Sequence, residues 1–342
     1  MVTYVFKKVA CFTDIHFGLK GNSRIHNDDC ETFIHWFIEQ AKAHNCETCI
    51  FLGDWHHHRS ATNVSTMNYT VSNMERLGQA FENVYVIMGN HDLFYRDKRE
   101  INSMEYIRNI PNIHIVNEWI VKDDVAIIPW IVGNEWTIVE KMTQKYVFGH
   151  FELPFFKMNA MVDMPDIGGI KAEHFAGCGE VFTGHFHKRQ TNKNVTYMGN
   201  AFPHNYADAW DDERGMMIIE YGNEPKYINW PDMPRYRTIK ISELLADPDK
   251  VLKPKMYVRV SLDIKISYEE ANFIRETFID KYKLRELQLI PEQIDQAQQP
   301  LVQIQKFDSV DQIVLQQLEG VDSETYDKKI LMAIYNSLDV NN

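Results

Sequence analysis

Five short apolar runs in this chain each end in a small polar cluster, and the clusters share one vocabulary of Asp, His, Asn and Gly. Lys8–Thr13 leads into Asp14-Ile15-His16, and Thr48–Leu52 leads into Gly53-Asp54 followed by Trp55-His56-His57-His58-Arg59. Val84–Met88 leads into Gly89-Asn90-His91-Asp92, Lys145–Phe148 into Gly149-His150, and Val181–Thr183 into Gly184-His185-Phe186-His187. Short runs rich in β-branched and aromatic residues read as strands. Layered α/β sheets bind ligands at the carboxyl ends of their strands. The pattern therefore constrains fold and site together, because five strand ends must share one edge. One cluster alone says little: Gly-Asn-His-Asp suits an ordinary turn, and a lone His-x-His on a strand is usually solvated. Five in series are hard to produce by chance.

Further strands are expected at Val125–Trp130, Val195–Met198 and Met216–Tyr221, and Met1–Phe12 reads as the first strand of a buried sheet. Helical stripes appear at Phe33, Phe37 and Ala41 beside Ile34 and Ile38, and at Met67, Val71, Met74 and Leu77. The alternation predicts an α/β domain over residues 1–232, a two-sheet mixed β-sandwich flanked by helices. Part of it should be antiparallel, because the later strands leave no room for crossover helices. Trp230-Pro231-Asp232-Met233-Pro234 is a breaker cluster. Residues 235–291 then read as a small α+β unit: strands Arg237–Ile241 and Met256–Ile264, helix Tyr268–Lys281, strand Glu286–Ile290. A Gln/Pro-rich linker occupies 292–300. Residues 301–342 read as a helix-loop-helix, with a capping-box pattern at Ser309 and Gln312, a stop at Gly320, and apolar stripes on both arms. Such a hairpin either folds back on its own core or docks on another protein.

Lys+Arg number 36 against 48 Asp+Glu, a net charge of -12. That argues against a self-sufficient DNA binder unless bound cations or a partner supply positive charge. No stretch is apolar enough to span a bilayer, and lysines interrupt the N-terminal run, which makes a poor secretory signal. Five cysteines without framework spacing fit a reducing cytoplasm. Cys46 and Cys49 have C-x-x-C spacing but run into a strand with no second pair, so a structural role outweighs zinc or redox chemistry.

The clusters offer Asp, Asn and imidazole, and no cysteine. That mixture suits Mn²⁺, Fe²⁺ or Zn²⁺, with Mg²⁺ less apt. There are too many donors for one tetrahedral ion. Two ions sharing a carboxylate, about 3.5–4 Å apart, would use them all. After the carboxylates and a bridging hydroxide are counted, such a centre keeps a charge of about +1, suited to a phosphate ester.

At these residues the sequence resembles the calcineurin-like metallophosphoesterase superfamily, whose D-x-H, G-D, G-N-H-[DE], G-H and G-H-x-H motifs are all present in order. Within it the chain is similar to the SbcD-type DNA double-strand-break repair nucleases and the related phage recombination endonuclease subunits. Phe17-Gly18 after His16, His57 three residues after Asp54, Tyr197-Met198-Gly199-Asn200, and Asp212-Glu213-Arg214-Gly215 carry that likeness. The resemblance implies a metallophosphoesterase fold with a capping domain over 235–291. It implies that Asp14, His16 and His187 hold one ion, that Asn90, His150 and His185 hold the other, and that Asp54 bridges them. It implies His91 as the group serving the leaving oxygen, His57 near the phosphate, and Asp92 orienting His91.

It further implies two divalent ions, Mn²⁺ first and Mg²⁺ second, and hydrolysis of DNA phosphodiesters by a dimetal-activated water. The activity would be a double-strand exonuclease and single-strand endonuclease in recombination, repair and replication. The implied partner is an SbcC-like coiled-coil ATPase held by the C-terminal helices, around a homodimer within a heterotetramer. The setting is the cytoplasm, that of a host if phage-encoded, with no membrane. Two departures stand out: His56 and His58 flank His57, where the branch has an aromatic before its histidine, and Asn200-Ala201 replaces Ser-Pro. His56 and His58 read as surface or supporting groups, and His26, His35, His44, His114, His174 and His204 as ordinary. The rival readings are a nucleotidase or cyclic-nucleotide phosphodiesterase on the same site, and an end-tethering scaffold.

Overall fold

Within β1 (Lys8–Phe12), Val9 and Cys11 face one core while Ala10 and Phe12 face another, since strand side chains alternate. In β2 (Thr48–Phe51) Ile50 joins the first set, and Cys49 and Phe51 the second. A strand apolar on both faces must be covered on both. A second sheet covers one face here and helices the other. The computed structural model describes residues 5–158 and 162–291, which belong to one compact unit.

The strands continue with β3 (Asn83–Ile87), β4 (Ile113–Val116), β5 (Ile120–Lys122), β6 (Val125–Ile128), β7 (Tyr146–His150), β8 (Glu180–Gly184), β9 (Gln190–Asn192), β10 (Val195–Tyr197), β11 (Gly215–Glu220) and β12 (Lys226–Asn229). The first sheet has the order β12-β11-β1-β2-β3-β4, the second β5-β6-β7-β8-β10-β9. Strands β1 to β4 are parallel, as are β6, β7, β8 and β10. Antiparallel pairing is confined to β11, β12, β5 and β9. Val9, Cys11, Ile50 and Leu52 meet Val125, Ile127, Phe148 and Phe182 in the core between the sheets. Helices Arg24–Ala43 and Val64–Ala80 cover the first sheet with Phe33, Phe37, Met74 and Leu77. Phe12 lies 4.5 Å from the Phe37 ring and 4.8 Å from Phe51.

The two-sheet mixed fold is thus as expected, with differences of detail. β7 and β8 are parallel although, among the described residues, no long helix joins them. Their connection crosses the outer face of the second sheet instead and buries Phe151, Leu153, Phe156 and Phe175 there. The short strands β4, β5, β9 and β12 were not anticipated. They carry residues such as His114, Lys122, Gln190 and Lys226 and are held mainly by pairing to a neighbour. The run from Val125 ends as a strand at Ile128, before Trp130, and β1 begins at Lys8.

A third, all-parallel sheet follows, formed by β13 (Tyr236–Lys240), β14 (Tyr257–Leu262) and β15 (Glu286–Pro291). Its helix Tyr268–Tyr282 opens with a reciprocal capping box between Ser267 and Glu270. Ile241, Leu244, Val258, Val260 and Leu287 form its own core. The short helices Ile241–Ala246 and Pro248–Val251 were not anticipated, and Ile241 begins a helix rather than ending a strand. Tyr236 Oη donates to the His204 carbonyl (2.8 Å), and Arg285 pairs with Asp29 (3.1 Å), which fastens this sheet beside the strand ends of the sandwich. The expected linker 292–300 and hairpin 301–342 lie outside the described residues. All five cysteines are buried and free. Among the described residues no helix is long and apolar enough to cross a membrane.

Candidate metal centre

The strand ends meet because their backbones are tied to one another. Asp14 N–H donates to the Gly53 carbonyl (3.0 Å), His16 N–H to that of Asp54 (3.2 Å), and Ala201 N–H to that of Thr13 (3.1 Å). Asp14, His16, Asp54 and His185 all have positive φ, between 50° and 95°. That left-handed backbone costs a non-glycine residue about 1–3 kcal/mol, so the surroundings must hold it. Two motif glycines show how close the approach is. A Cβ at Gly89 would lie 2.3 Å from Asp54 Oδ1, and one at Gly184 would lie 2.1 Å from Thr13 Oγ1.

All seven residues expected to hold ions converge. On one side of Asp54, His150 Nε2 lies 3.1 Å and His185 Nδ1 2.9 Å from Asn90 Oδ1. Their other nitrogens are committed, His150 Nδ1 donating to the Leu52 carbonyl (2.7 Å) and His185 Nε2 to Glu152 (3.3 Å). Glu152 is itself held by Arg96 at 2.6 and 2.7 Å. A second hydrogen bond of this kind orients a metal-ligating imidazole and fixes its tautomer. On the other side, His16 Nε2 and His187 Nε2 lie 3.8 and 3.9 Å from Asp14 Oδ1. Asp54 faces both sides through one oxygen: Oδ2 is 3.7 Å from His16 Nε2 and 3.4 Å from His150 Nε2. Its Oδ1 accepts from the His91 backbone N–H (2.8 Å).

The arrangement fits cations. With their other nitrogens committed, His150 Nε2 and His185 Nδ1 face Asn90 Oδ1 at one place. Among the described residues, both ring nitrogens of buried His16 lack a hydrogen-bond partner, a costly condition for a polar group. Aspartate, asparagine and imidazole are the donor set of a mixed oxygen–nitrogen site for first-row divalent ions. Asp14, His16 and Asp54 form one group of possible ligands, and Asp54, His150 and His185 another.

Electrostatics agree. Burial penalises the Asp54 carboxylate, but the imidazoles of His150, His16 and His91 outweigh it and hold Asp54 well below the ordinary carboxylate range. Burial also disfavours a charged His150, yet Asp54 and Asp14 push it up to about 9, so a proton stands there when no cation does. His16 is held well below its ordinary value, chiefly by burial.

His91 and His57 lie at the edge of the same cleft. Their rings stack at 5.4 Å, and His91 Nδ1 donates to the His57 carbonyl (2.7 Å). Burial and the neighbouring His91 push His57 down to about 4. Of the three consecutive histidines, His57 is the one facing the centre. His56 is buried between Ser103 (2.8 Å) and Thr70 (2.9 Å), and His58 is exposed.

Asp92 needs a correction. It does not touch the His91 imidazole, whose Nδ1 is held by the His57 carbonyl. Its two carboxylate oxygens accept four backbone N–H groups, from Asp54 (2.9 Å), Trp55 (2.9 Å), His56 (3.0 Å) and Gly89 (3.1 Å). Asp92 therefore shapes the turn carrying Asp54 instead of orienting the His91 ring. Burial and the Asp54 charge push its carboxyl up to about 7 against the pull of those donors. Tyr197 is likewise a clamp: its hydroxyl donates to the Phe151 carbonyl (2.9 Å) and accepts from Leu153 N–H (3.1 Å), fixing the chain after His150.

Two histidines set aside on the sequence lie at the centre. His26 Nε2 donates to the His16 carbonyl (3.0 Å) and so supports that turn. His204 is 2% exposed, with its ring 5.4 Å from His16 and 5.2 Å from His187. Neither belongs to a strand-end motif, so spacing gave no signal for them.

The strand-end donor pairs and the two mixed sheets define a phosphoesterase. Residues 7–228, well over half of the chain, match the Calcineurin-like phosphoesterase family, and the chain belongs to it. Exonuclease subunit 1 of Enterobacteria phage T4 is 26% identical over 227 residues, covering 64% of this chain and 66% of that protein, just under two thirds of the relative's length. Among solved structures, a nuclease MPE from Pseudomonas putida aligns at 19% identity over 53% of this chain and 62% of its own, with a TM-score of 0.28. A dimetal phosphatase from Danio rerio aligns at 10% identity over 66% of this chain and 96% of its own, with a TM-score of 0.43.

Proposed function

We propose that this chain is a metal-dependent DNA nuclease that hydrolyses phosphodiesters as a double-strand exonuclease and single-strand endonuclease in recombination, repair and replication. The observation that carries the proposal is the convergence of Asp14, His16, Asp54, Asn90, His150, His185 and His187, with His91 and His57 beside them. Two divalent ions bound there, Mn²⁺ first and Mg²⁺ second, would supply Lewis acidity and an activated water. Asp54 and Asp14 set the spacing and charge of the centre. His91 acts at the leaving oxygen through Nε2, because Nδ1 is committed to the His57 carbonyl. His57 packs against the His91 ring and fixes its plane.

The likeness to a phage protein named as an exonuclease subunit supports DNA as substrate and a partner subunit. We assign the third sheet, 235–291, as a capping domain and 301–342 as the segment that grips an SbcC-like coiled-coil ATPase. The support is the polar linker before that segment and the apolar stripes along it. A homodimer at the heart of a heterotetramer would then share DNA affinity among copies, which answers the net charge of -12. The setting is the cytoplasm of the cell that makes it.

The test is Mn²⁺-stimulated cleavage of linear duplex DNA by the purified chain, alone and with the ATPase, and co-purification before and after removal of residues beyond Pro300. No product under either condition contradicts the nuclease reading. Turnover of cyclic or mononucleotides above that of DNA would favour a nucleotidase, and DNA tethering without cleavage would favour a scaffold.

A further inference from the structure

We propose that His204 is an additional ligand to the cation held by Asp14, His16 and His187, making that half of the centre rich in imidazole. The inference rests on the dimetal reading above and adds to it a donor outside the strand-end motifs.

One ring nitrogen each from His16, His187 and His204 all lie within 4.8 Å of one another. Donors 2.0–2.2 Å from one ion span up to about 4.4 Å across it. A single cation therefore reaches all three with small side-chain adjustments. Ring centroids agree: His204 is 5.4 Å from His16 and 5.2 Å from His187, and those two are 5.3 Å apart.

Independent support comes from hydrogen bonding. Both His204 ring nitrogens are buried with no hydrogen-bond partner among the described residues. Buried polar groups without partners are rare, and each calls for an explanation such as an ion. A cation accounts for the acceptor nitrogen. The backbone around His204 is fixed instead of loose. Its N–H donates to Asp208 Oδ2 (2.9 Å), and its carbonyl accepts from Tyr236 Oη on the third sheet (2.8 Å). Phe202 and His26 pack edge-on against the ring at 5.2 and 5.5 Å. The chain thus builds a rigid seat that aims an unpartnered imidazole at the centre. A histidine there for packing alone would gain nothing from its nitrogens.

Three imidazoles in one half, against two imidazoles and a carboxamide in the other, make the two sites chemically unequal. Imidazole suits Co²⁺, Fe²⁺ and Zn²⁺ better than it suits Mg²⁺. The His204 half should therefore be the tighter site for those ions.

The experiment is calorimetric titration of the metal-stripped full-length protein with Co²⁺, together with proton NMR of the Co²⁺-loaded form. In that form each ligating histidine contributes a strongly shifted exchangeable N–H signal. Wild type is compared with His204→Gln and His204→Leu. The leucine variant buries no unpaired polar atom, so it keeps the test open if the glutamine variant folds poorly. Circular dichroism and melting of the metal-free proteins check folding. The expected result is one binding step weakened by more than about 100-fold, beyond what the loss of a merely supporting residue costs, with the other step unchanged and one shifted signal lost. Binding steps within threefold of wild type, or an unchanged set of signals, overturn the assignment. A wild type binding one ion, weakened by His204→Gln, would overturn the two-ion reading while supporting this one. A wild type that binds none overturns both.

Discussion

On one side of Asp54, His150 and His185 each have one nitrogen tied to the frame, by the Leu52 carbonyl and by Glu152, and both face Asn90. On the other side, His16 and His204 have no hydrogen-bond partner at either ring nitrogen among the described residues. The first half is held in place without a cation, and a proton on His150 occupies part of its role. In the second half, burial holds His16 and His204 well below the ordinary imidazole range, so both are neutral, and their nitrogens stand ready for an ion. Pre-organisation and a resident proton thus belong to one half, and unpartnered imidazole nitrogens belong to the other.

The strongest way to probe the division is to leave both halves intact and remove the group beside them. His91→Ala should retain both ions, by metal analysis, yet cut phosphodiester cleavage by roughly 10²–10⁴-fold, the usual contribution of a general acid. Loss of an ion together with activity would mean that His91 belongs to a half and does not act beside it. Next in size, Asp92→Ala should destabilise the fold by more than about 3 kcal/mol in urea melts, since several buried N–H groups lose their acceptor. A well-folded Asp92→Ala chain with impaired cleavage chemistry would return Asp92 to the reacting groups.

The smallest effect is a pH dependence that separates the halves. The folded-state pKa of His150 is raised above its ordinary 6.5, to about 9. Its contribution to metal-free stability is therefore complete below pH 6.5 and lost as pH rises through about 9. We expect a change on the order of 1–3 kcal/mol across that window, measured as wild type minus His150→Gln. The sign is opposite for buried His56, whose pKa is pushed down to about 3, so its contribution is present above pH 6.5 and lost on acidification. A wild-type minus His150→Gln difference that stays flat from pH 6.5 to 9 would remove the proton from the first half.

The same division marks what the sequence could reveal. Asp14, His16, Asp54, Asn90, His150, His185 and His187 were legible because each follows a β-branched or aromatic run, so its strand end places it. The layered sheets were legible for the same reason. Strands such as β9 and β12 were not, because pairing partners and not their own side chains make them strands. Asp92 was misread because a carboxylate beside a histidine gives no sign that backbone amides 36 to 38 residues away will claim both oxygens. His204 was passed over because it sits in a loop whose path is set by Asp208 and by Tyr236 of the third sheet, contacts that no periodicity encodes.

Anomalous diffraction from crystals soaked in Mn²⁺ tests the central claim most directly. Two peaks about 3.5–4 Å apart are expected, one among Asp14, His16, His187 and His204 and the other among Asn90, His150 and His185. Asp54 should lie between them, and both peaks should vanish in Asp54→Ala. A single peak, or a peak still at full height in the Asp54→Ala protein, would contradict the shared two-ion centre.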